Sequence, residues 1–196
     1  MVPSLFHIAP SVGMLDSLRT FKAPHNELCE DDVPKGLFNQ QHLTTVDLSY
    51  NKLAAIPPSM EAATGLLVLQ LAHNKISSSA DKPLPSGMFT RCTDLRFLDL
   101  SWNQLQALPL QLNCLHNLRV LVLSGNPLVA ANFKRLEGLT TLRQLGLRDT
   151  GRTMENIPTE LAAWLPDLTE LDLGENELTA VPPCVYLMQH LERLQL

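Results

Sequence analysis

The sequence LTTVDLSYNKL, at residues 43–53, carries the pattern from which the architecture of this 196-residue chain follows. Val46 and Leu48 flank a polar residue, and Asn51 and Leu53 follow at fixed intervals. The arrangement returns as LLVLQLAHNKI at 66–76, LRFLDLSWNQL at 95–105, LRVLVLSGNPL at 118–128 and LTELDLGENEL at 168–178. Leucine makes up about one residue in five, roughly twice its usual share, which indicates one structural unit used many times.

Three further units are less regular. LRTFKAPHNEL at 18–28 is weaker, LRQLGLRDT at 142–150 ends on Thr150 in place of the asparagine, and LERLQL at 191–196 is short. We interpret all eight as leucine-rich repeats. They predict an α/β solenoid with a curved parallel sheet on its concave face and short helical, 3-10 or extended segments on its convex face. The whole chain, 1–196, forms one domain in this interpretation, with units near 18–42, 43–65, 66–94, 95–117, 118–141, 142–167, 168–190 and 191–196.

The repeat has a physical basis in its leucines and its asparagine. Alternation of leucine with polar residues makes a short strand with one buried face, and stacked units bury that face together. The asparagine amide can bond backbone groups that the following turn leaves unpaired, so these amides should form a ladder along the array. Thr150 interrupts the ladder, and we expect a local adjustment helped by Gly151. The predicted ladder consists of Asn26, Asn51, Asn74, Asn103, Asn126 and Asn176.

The two ends and one long unit are irregular. Leu196 stops in mid-strand without a polar capping unit, and residues 2–15 resemble the return leg of a preceding unit, so we expect a fragment truncated at both ends. The 29-residue unit contains an insertion, SSSADKPLPSG at 77–87, whose composition predicts a surface loop.

The concave face is the expected binding surface, because side chains between the strand leucines point into it. The residues that precede the asparagines form a column whose first members carry rings, among them Trp102. An exposed tryptophan beside apolar neighbours is typical of a protein-binding hot spot. Four acidic residues (Glu170, Asp172, Glu175 and Glu177) make one end of the face acidic, most simply as a solvated rim. The candidate partner-binding residues are Tyr50, His73, Phe97, Asp99, Trp102, Val120, Val122 and Asp172.

The sequence predicts no catalytic site, metal site or cofactor. It contains none of the nucleophile, zinc-protease or phosphate-loop motifs. The formal net charge of -5 gives no basic footprint for nucleic acid or for an anionic membrane, and no apolar run approaches the roughly 18 residues of a membrane span. Cys29, Cys92, Cys114 and Cys184 do not cluster, so we expect a reducing compartment, the cytosol or nucleus, with Cys92 and Cys114 as buried small hydrophobes.

Several stretches resemble the leucine-rich domain of the flightless proteins: LVLSGNPL at 121–128, LRQLGLRDTGRT at 142–153 and NIPTEL at 156–161. LSYNKL at 48–53 and VPPCVY at 181–186 are similar too. In that family one unit likewise replaces its asparagine with threonine and follows it with an Arg-Thr pair, as Thr150 and Arg152 do here. The resemblance implies a docking platform for coiled-coil partners, linked to actin remodelling, the cytoskeleton and transcriptional coactivation. Actin binding in that family lies in gelsolin-like repeats, and nothing like them is present here.

Two other functions are compatible with the repeats. One is a leucine-rich adaptor for a small GTPase in Ras-type signalling, because its repeats share the Leu-x-x-Ile-Pro form of residues 53–57. Units of 26 and 29 residues disfavour that hypothesis, since such adaptors have uniform 23-residue spacing. The other is a repeat that accompanies an enzyme such as a ubiquitin ligase or phosphatase, whose chemistry would belong to a different domain.

Overall fold

The computed structural model describes residues 4–78, 84, 86–128 and 132–196. Its main feature is an eight-stranded parallel sheet in which each strand lies beside the strand of the next repeat, in the order β1-β2-β3-β5-β7-β8-β9-β10. Its strands are β1 (Thr20–Lys22), β2 (Thr45–Asp47), β3 (Val68–Gln70), β5 (Phe97–Asp99), β7 (Val120–Val122), β8 (Gln144–Gly146), β9 (Glu170–Asp172) and β10 (Arg193–Gln195).

The register is the same at every step along the sheet. The central residue of each strand lies beside the central residue of the next, as Leu98 lies beside Leu121. The weak first unit keeps this register, since Phe21 pairs with Val46. Because side chains alternate along a strand, one constant register sends every central residue to the same side of the sheet. The result is a single leucine layer that continues through all units.

The return legs lie on the other side of the core and are mostly single turns of 3-10 helix. Two short α-helices also occur, α1 (Ser86–Arg91) and α2 (Leu161–Trp164). Proline begins several of these legs, since its fixed φ suits a turn that follows an extended segment. The 3-10 segments are Pro10–Met14, Glu30–Asp32, Lys35–Asn39, Pro58–Ala62, Leu112–Cys114, Phe133–Leu136 and Pro183–Leu187.

A leucine-rich repeat solenoid was predicted from the leucine period, and it is confirmed by the parallel sheet and the short convex segments. The insertion at 77–87 differs from the expected surface loop. Ser77–Ser78 forms β4, which pairs in parallel with β6 (Gln104–Leu105) as a second small sheet. Leu84 is buried in the core. Residues 79–83 and 85 of the insertion lie outside the described residues.

Candidate protein-interaction face

The three apolar candidates of the concave face lie on two neighbouring strands. Register places Phe97 next to Val120 and Asp99 next to Val122. All of these strand-flanking side chains are half-buried, so the apolar patch is less open than the sequence suggested. Neighbouring strands cover part of each side chain, because parallel strands lie only about 4.8 Å apart. A continuous apolar strip nevertheless reaches the surface in the middle of the array.

The aspartates on this face accept hydrogen bonds from the turns that follow their strands, in addition to facing outward. Asp99 Oδ1 accepts hydrogen bonds from the backbone N–H of Ser101 at 2.9 Å and from its hydroxyl at 2.6 Å. Asp172 Oδ1 accepts the N–H of Gly174 at 2.9 Å. A carboxylate that already caps a turn has one oxygen committed. Asp99 and Asp172 are therefore partly occupied by structural bonds, which the strand pattern did not reveal.

The column of ring-bearing residues lies just after the strands and is a stack. The ring centroids of His25 and Tyr50 are 4.1 Å apart, those of Tyr50 and His73 are 4.1 Å apart, and those of His73 and Trp102 are 5.6 Å apart. Interplanar angles of 11° to 18° make all three contacts stacked. Tyr50 remains 44% exposed and Trp102 remains 42% exposed.

This column lies in the turns after the strands, because its residues have a left-handed backbone. Tyr50 and Trp102 have φ of 56° and 53°, and Asp149 and Glu175 take the same conformation in later units. A positive φ ends strand alternation and turns the ring sideways along the array. The rings therefore contact each other from one repeat to the next, and their outer edges face solvent.

The stack ends where glycine replaces the ring. Gly125 has φ +67°, and a Cβ at this position would lie 2.5 Å from the six-membered ring of Trp102. The indole therefore lies directly over the Gly125 backbone, in space that no other residue would leave open. This close approach fixes Trp102 at the end of the stack with its outer edge accessible.

The asparagines lie beneath this column and bond the backbone of two successive units. In Asn103, Nδ2 donates to the carbonyls of Leu71, Leu100 and Ser101 at 3.0 Å each. Its Oδ1 accepts the N–H of Ile76 in the preceding unit at 3.0 Å. Asn51, Asn74 and Asn126 make equivalent sets of bonds. One amide thus links the turn of its own repeat to the turn of the previous repeat.

Where Thr150 replaces the asparagine, three residues share this task. The Thr150 hydroxyl donates to the carbonyl of Leu147 at 2.7 Å, the residue equivalent to Leu100. The Arg152 guanidinium reaches back to the carbonyl of Leu128 in the preceding unit at 2.6 Å and also bonds the Thr150 carbonyl at 2.9 Å. Asn176 of the following unit accepts the N–H groups of Thr150 and Arg152 through Oδ1. The Thr150 hydroxyl thus keeps one of the carbonyl bonds of the missing amide, and Arg152 adds a side-chain link to the preceding unit.

Arg152 is unusual because a guanidinium is buried there without a carboxylate. It is 3% exposed, and its central carbon lies 5.3 Å from the centre of the Phe133 ring. None of the ion pairs within the described ranges includes it. Burial lowers the pKa of Arg152 from its ordinary value, because desolvation disfavours the charged form. Carbonyl oxygens and a ring face supply the compensating negative potential.

Two of the four residues of the predicted acidic end are paired with arginine. Glu170 bonds Arg193 at 2.9 Å, and Glu175 forms an ion pair with Arg148. These pairs are mostly exposed and contribute little stability. They do reduce the net negative charge of this end, which supports a solvated rim over a docking patch.

Sequence reasoning missed a row of basic residues. Arg96, Arg119 and Arg143 each follow the first leucine of a unit, in three consecutive units, and all three are exposed. A column comparison at this position would have found them, but only the columns that flank the central leucine and precede the asparagine were considered.

The four cysteines are free thiols. Burial raises the pKa of the Cys92 thiol to about 11 and also raises that of Cys184, because desolvation disfavours the thiolate. These two buried thiols are therefore poor nucleophiles. Among the residues with described positions, no group of three or more His, Cys, Asp or Glu side chains could hold a metal ion. No helix in the described parts of the chain is long and apolar enough to cross a membrane.

Comparisons with known proteins agree with this architecture. A family model described as "Leucine rich repeat" matches residues 41–105. The flightless-1 homologue of Mus musculus is 43% identical over 170 residues, which confirms the flightless resemblance; the match covers 87% of this chain and 13% of that protein.

Two solved structures share the fold. The leucine-rich repeat ectodomain of the plant membrane receptor kinase GASSHO1/SCHENGEN3 from Arabidopsis thaliana, in complex with CASPARIAN STRIP INTEGRITY FACTOR 2, is 27% identical with a TM-score of 0.68, and the match covers 97% of this chain and 25% of that one. An internalin C2 from Listeria monocytogenes has a TM-score of 0.74 at 20% identity, over 97% of this chain and 76% of that one.

Proposed function

Since the chain is a leucine-rich repeat domain whose sequence relatives include the flightless-1 homologues, we propose that it is a non-enzymatic scaffold that binds other proteins. Its concave face and the adjoining ring stack form the docking surface. Solenoids of this kind commonly use their extended concave surfaces for binding. The plant receptor structure supports this use, because that ectodomain was solved in complex with CASPARIAN STRIP INTEGRITY FACTOR 2.

The observation that carries the proposal is the accessible indole of Trp102. Its ring is held between His73 and the Gly125 backbone, so it is already ordered before any partner arrives. Binding then costs little side-chain entropy, and desolvation of the outer ring edge contributes directly to affinity. Phe97, Val120 and Val122 supply further apolar area on the neighbouring strands.

The biological role follows from the flightless resemblance. We propose a scaffold in actin cytoskeleton regulation and transcriptional coactivation, with coiled-coil proteins among its partners. Actin would be bound only through domains outside these 196 residues, and the scaffold would contact neither nucleic acid nor membrane. Four free cysteines support a cytoplasmic location, and a nuclear one as well. The chain spans 13% of the length of the flightless-1 homologues, so these roles concern a larger protein.

A pull-down with matched variants tests the docking surface. We expect the double variant Phe97→Ala and Trp102→Ala to lose the partners that the unchanged chain captures, because their hot-spot area is removed. The control is Tyr186→Ala with Leu187→Ala, which removes convex side chains that are 77% and 59% exposed. It should keep the same partners.

Melting curves separate binding from folding in this test. Trp102→Ala alone should lower the free energy of unfolding by less than about 2 kcal/mol, because the outer edge of the ring is already solvated. Equal partner loss in both double variants, or a larger stability loss at Trp102, would show that the concave face is not the docking surface.

A further inference from the structure

Arg96, Arg119 and Arg143 form a continuous row across the sheet. They immediately precede β5, β7 and β8, which are neighbours in the sheet. The backbone N–H of Arg119 donates to the carbonyl of Arg96 at 2.8 Å, and the N–H of Arg143 donates to the carbonyl of Arg119 at 2.8 Å. Successive residues of the row are therefore separated by one strand spacing, about 4.8 Å. We call these three residues the arginine row.

The arginine row has no anionic partner within the part of the chain that is described. The four ion pairs there involve His7, Lys52, Arg148 and Arg193. Asp167 lines the same surface depression as Arg143 without forming an ion pair with it. Three guanidinium groups on adjacent strands repel one another, although water screens this repulsion at the surface. In a chain of net charge -5, the arginine row is therefore a local positive patch, and a negatively charged partner would relieve its repulsion.

An apolar strip borders the arginine row directly. Phe97 and Val120 follow Arg96 and Arg119 in sequence and lie side by side in the sheet. Both are half-buried, with apolar surface still exposed. A ligand that meets the row and the strip together must carry negative charge along one edge and apolar groups along the other.

We propose that the arginine row and the Phe97–Val120 strip bind an acidic amphipathic α-helix of a partner protein. This inference rests on the proposed scaffold function and names the chemistry of one partner. A helix that crosses the strands presents one side chain per turn, every 5.4 Å along its axis. That repeat is close to the strand spacing, so carboxylates at i, i+4 and i+7 each meet one guanidinium. An extended peptide is a poorer match, because its same-face side chains recur at about 6.7 Å.

Other polyanions fit this surface less well. A nucleic acid or an anionic membrane carries negative charge well beyond the width of the arginine row, and would also meet the concave side chains of β9, Glu170 and Asp172, which are both acidic. Phosphate backbones also carry no apolar edge to cover Phe97 and Val120. A partner helix with separate acidic and apolar faces satisfies both parts of the surface.

Binding of a synthetic helical peptide to the 196-residue chain tests this proposal. The probe carries glutamates at i, i+4 and i+7 and leucines on the adjacent face, and a scrambled peptide of the same composition serves as its control. Fluorescence anisotropy should show that the variant Arg96→Glu/Arg119→Glu/Arg143→Glu binds the probe at least about tenfold more weakly. Raising the salt from about 50 to about 300 mM should weaken binding to the unchanged chain.

The control variant is Lys35→Glu/Lys75→Glu/Lys134→Glu, which makes the same change of charge at exposed lysines that form no ion pair and lie elsewhere on the described surface. It should retain probe binding within about twofold. Equal weakening by both triple variants, equal binding of the scrambled peptide, or tighter binding of anionic vesicles or single-stranded RNA would overturn the proposal. Absence of probe binding overturns it as well, whereas the scaffold function stands or falls on the Phe97 and Trp102 pull-down.

Discussion

The turns of the earlier repeats and those from residue 125 onward pair their buried backbone groups in different ways. Tyr50 to Trp102 carry rings above asparagines, and one amide per turn bonds the carbonyls and the N–H that the turn leaves open. From Gly125 on the rings are absent, and at Thr150 the amide is absent too. The Thr150 hydroxyl then bonds the Leu147 carbonyl, and the Arg152 guanidinium adds a link to the Leu128 carbonyl of the preceding unit.

This difference shows that the backbone groups of each turn need hydrogen-bond partners and that different side chains can supply them. Buried carbonyl and N–H groups must be paired wherever the chain turns, whatever residue stands there. The rings are not needed for the shape of the turn, since the later turns keep the left-handed backbone with glycine or acidic residues. The ring stack is therefore separable from the fold, which suits a surface used for binding.

The largest effect is expected from Arg152→Ala. It removes the guanidinium bonds to the Leu128 and Thr150 carbonyls and leaves a cavity beside Phe133. We expect the free energy of unfolding to fall by about 3 kcal/mol, since buried carbonyls lose a charged donor. Urea unfolding followed by circular dichroism measures it.

Arg148→Ala is the control, because that arginine lies in the same unit with its charged end exposed. It should cost less than about 1 kcal/mol. Equal losses for the two variants would mean that Arg152 does not replace the missing asparagine.

Asn103→Ala tests the asparagine bonds of the regular repeats and should have the next largest effect. Ile76 N–H and three carbonyls lose their partner, so we expect a loss of about 1–3 kcal/mol. Asn117→Ala is the matched control, because Asn117 is exposed and donates to one carbonyl, that of Thr93. Its thermal melting curve should stay nearly unchanged. An unchanged curve for Asn103→Ala would contradict the ladder.

Gly125→Ala addresses the boundary of the ring stack and should have the smallest effect. The new Cβ would meet the Trp102 ring, and φ is positive, so we expect a loss of about 1–2 kcal/mol and a shift in tryptophan emission. Gly151→Ala has the same φ of +67° with nothing within 4 Å of the added carbon. It should lose about 1 kcal/mol from backbone strain alone. Identical results at both glycines would show that the indole does not rest on Gly125.

The period of the leucines was sufficient to predict the sheet, its parallel order and the convex turns. Strand alternation depends only on neighbouring residues, so a column such as Phe97 and Val120 could be assigned without coordinates. The same alternation does not reach Trp102. A left-handed residue there is a property of the turn, and no period in the sequence reports it.

Two other features needed three-dimensional information. Arg152 was recognised as an irregularity of the sixth unit, but its reach back to Leu128 depends on how two repeats stack. The turn-capping bonds of Asp99 and Asp172 likewise involve local geometry that residue type alone leaves open. The proposed binding roles of these residues stay predictions.

The one-after-another order of the sheet has a mechanical consequence. Each strand pairs only with the strands of adjacent repeats, through three residues on each side. Tension applied between the two ends of such a stack is carried by every junction in series, so a small opening at each junction adds up to a large extension of the whole array. We expect stretching in an optical trap to unfold the repeats one at a time. A protein bound across several strands would hold those junctions together and make the array stiffer.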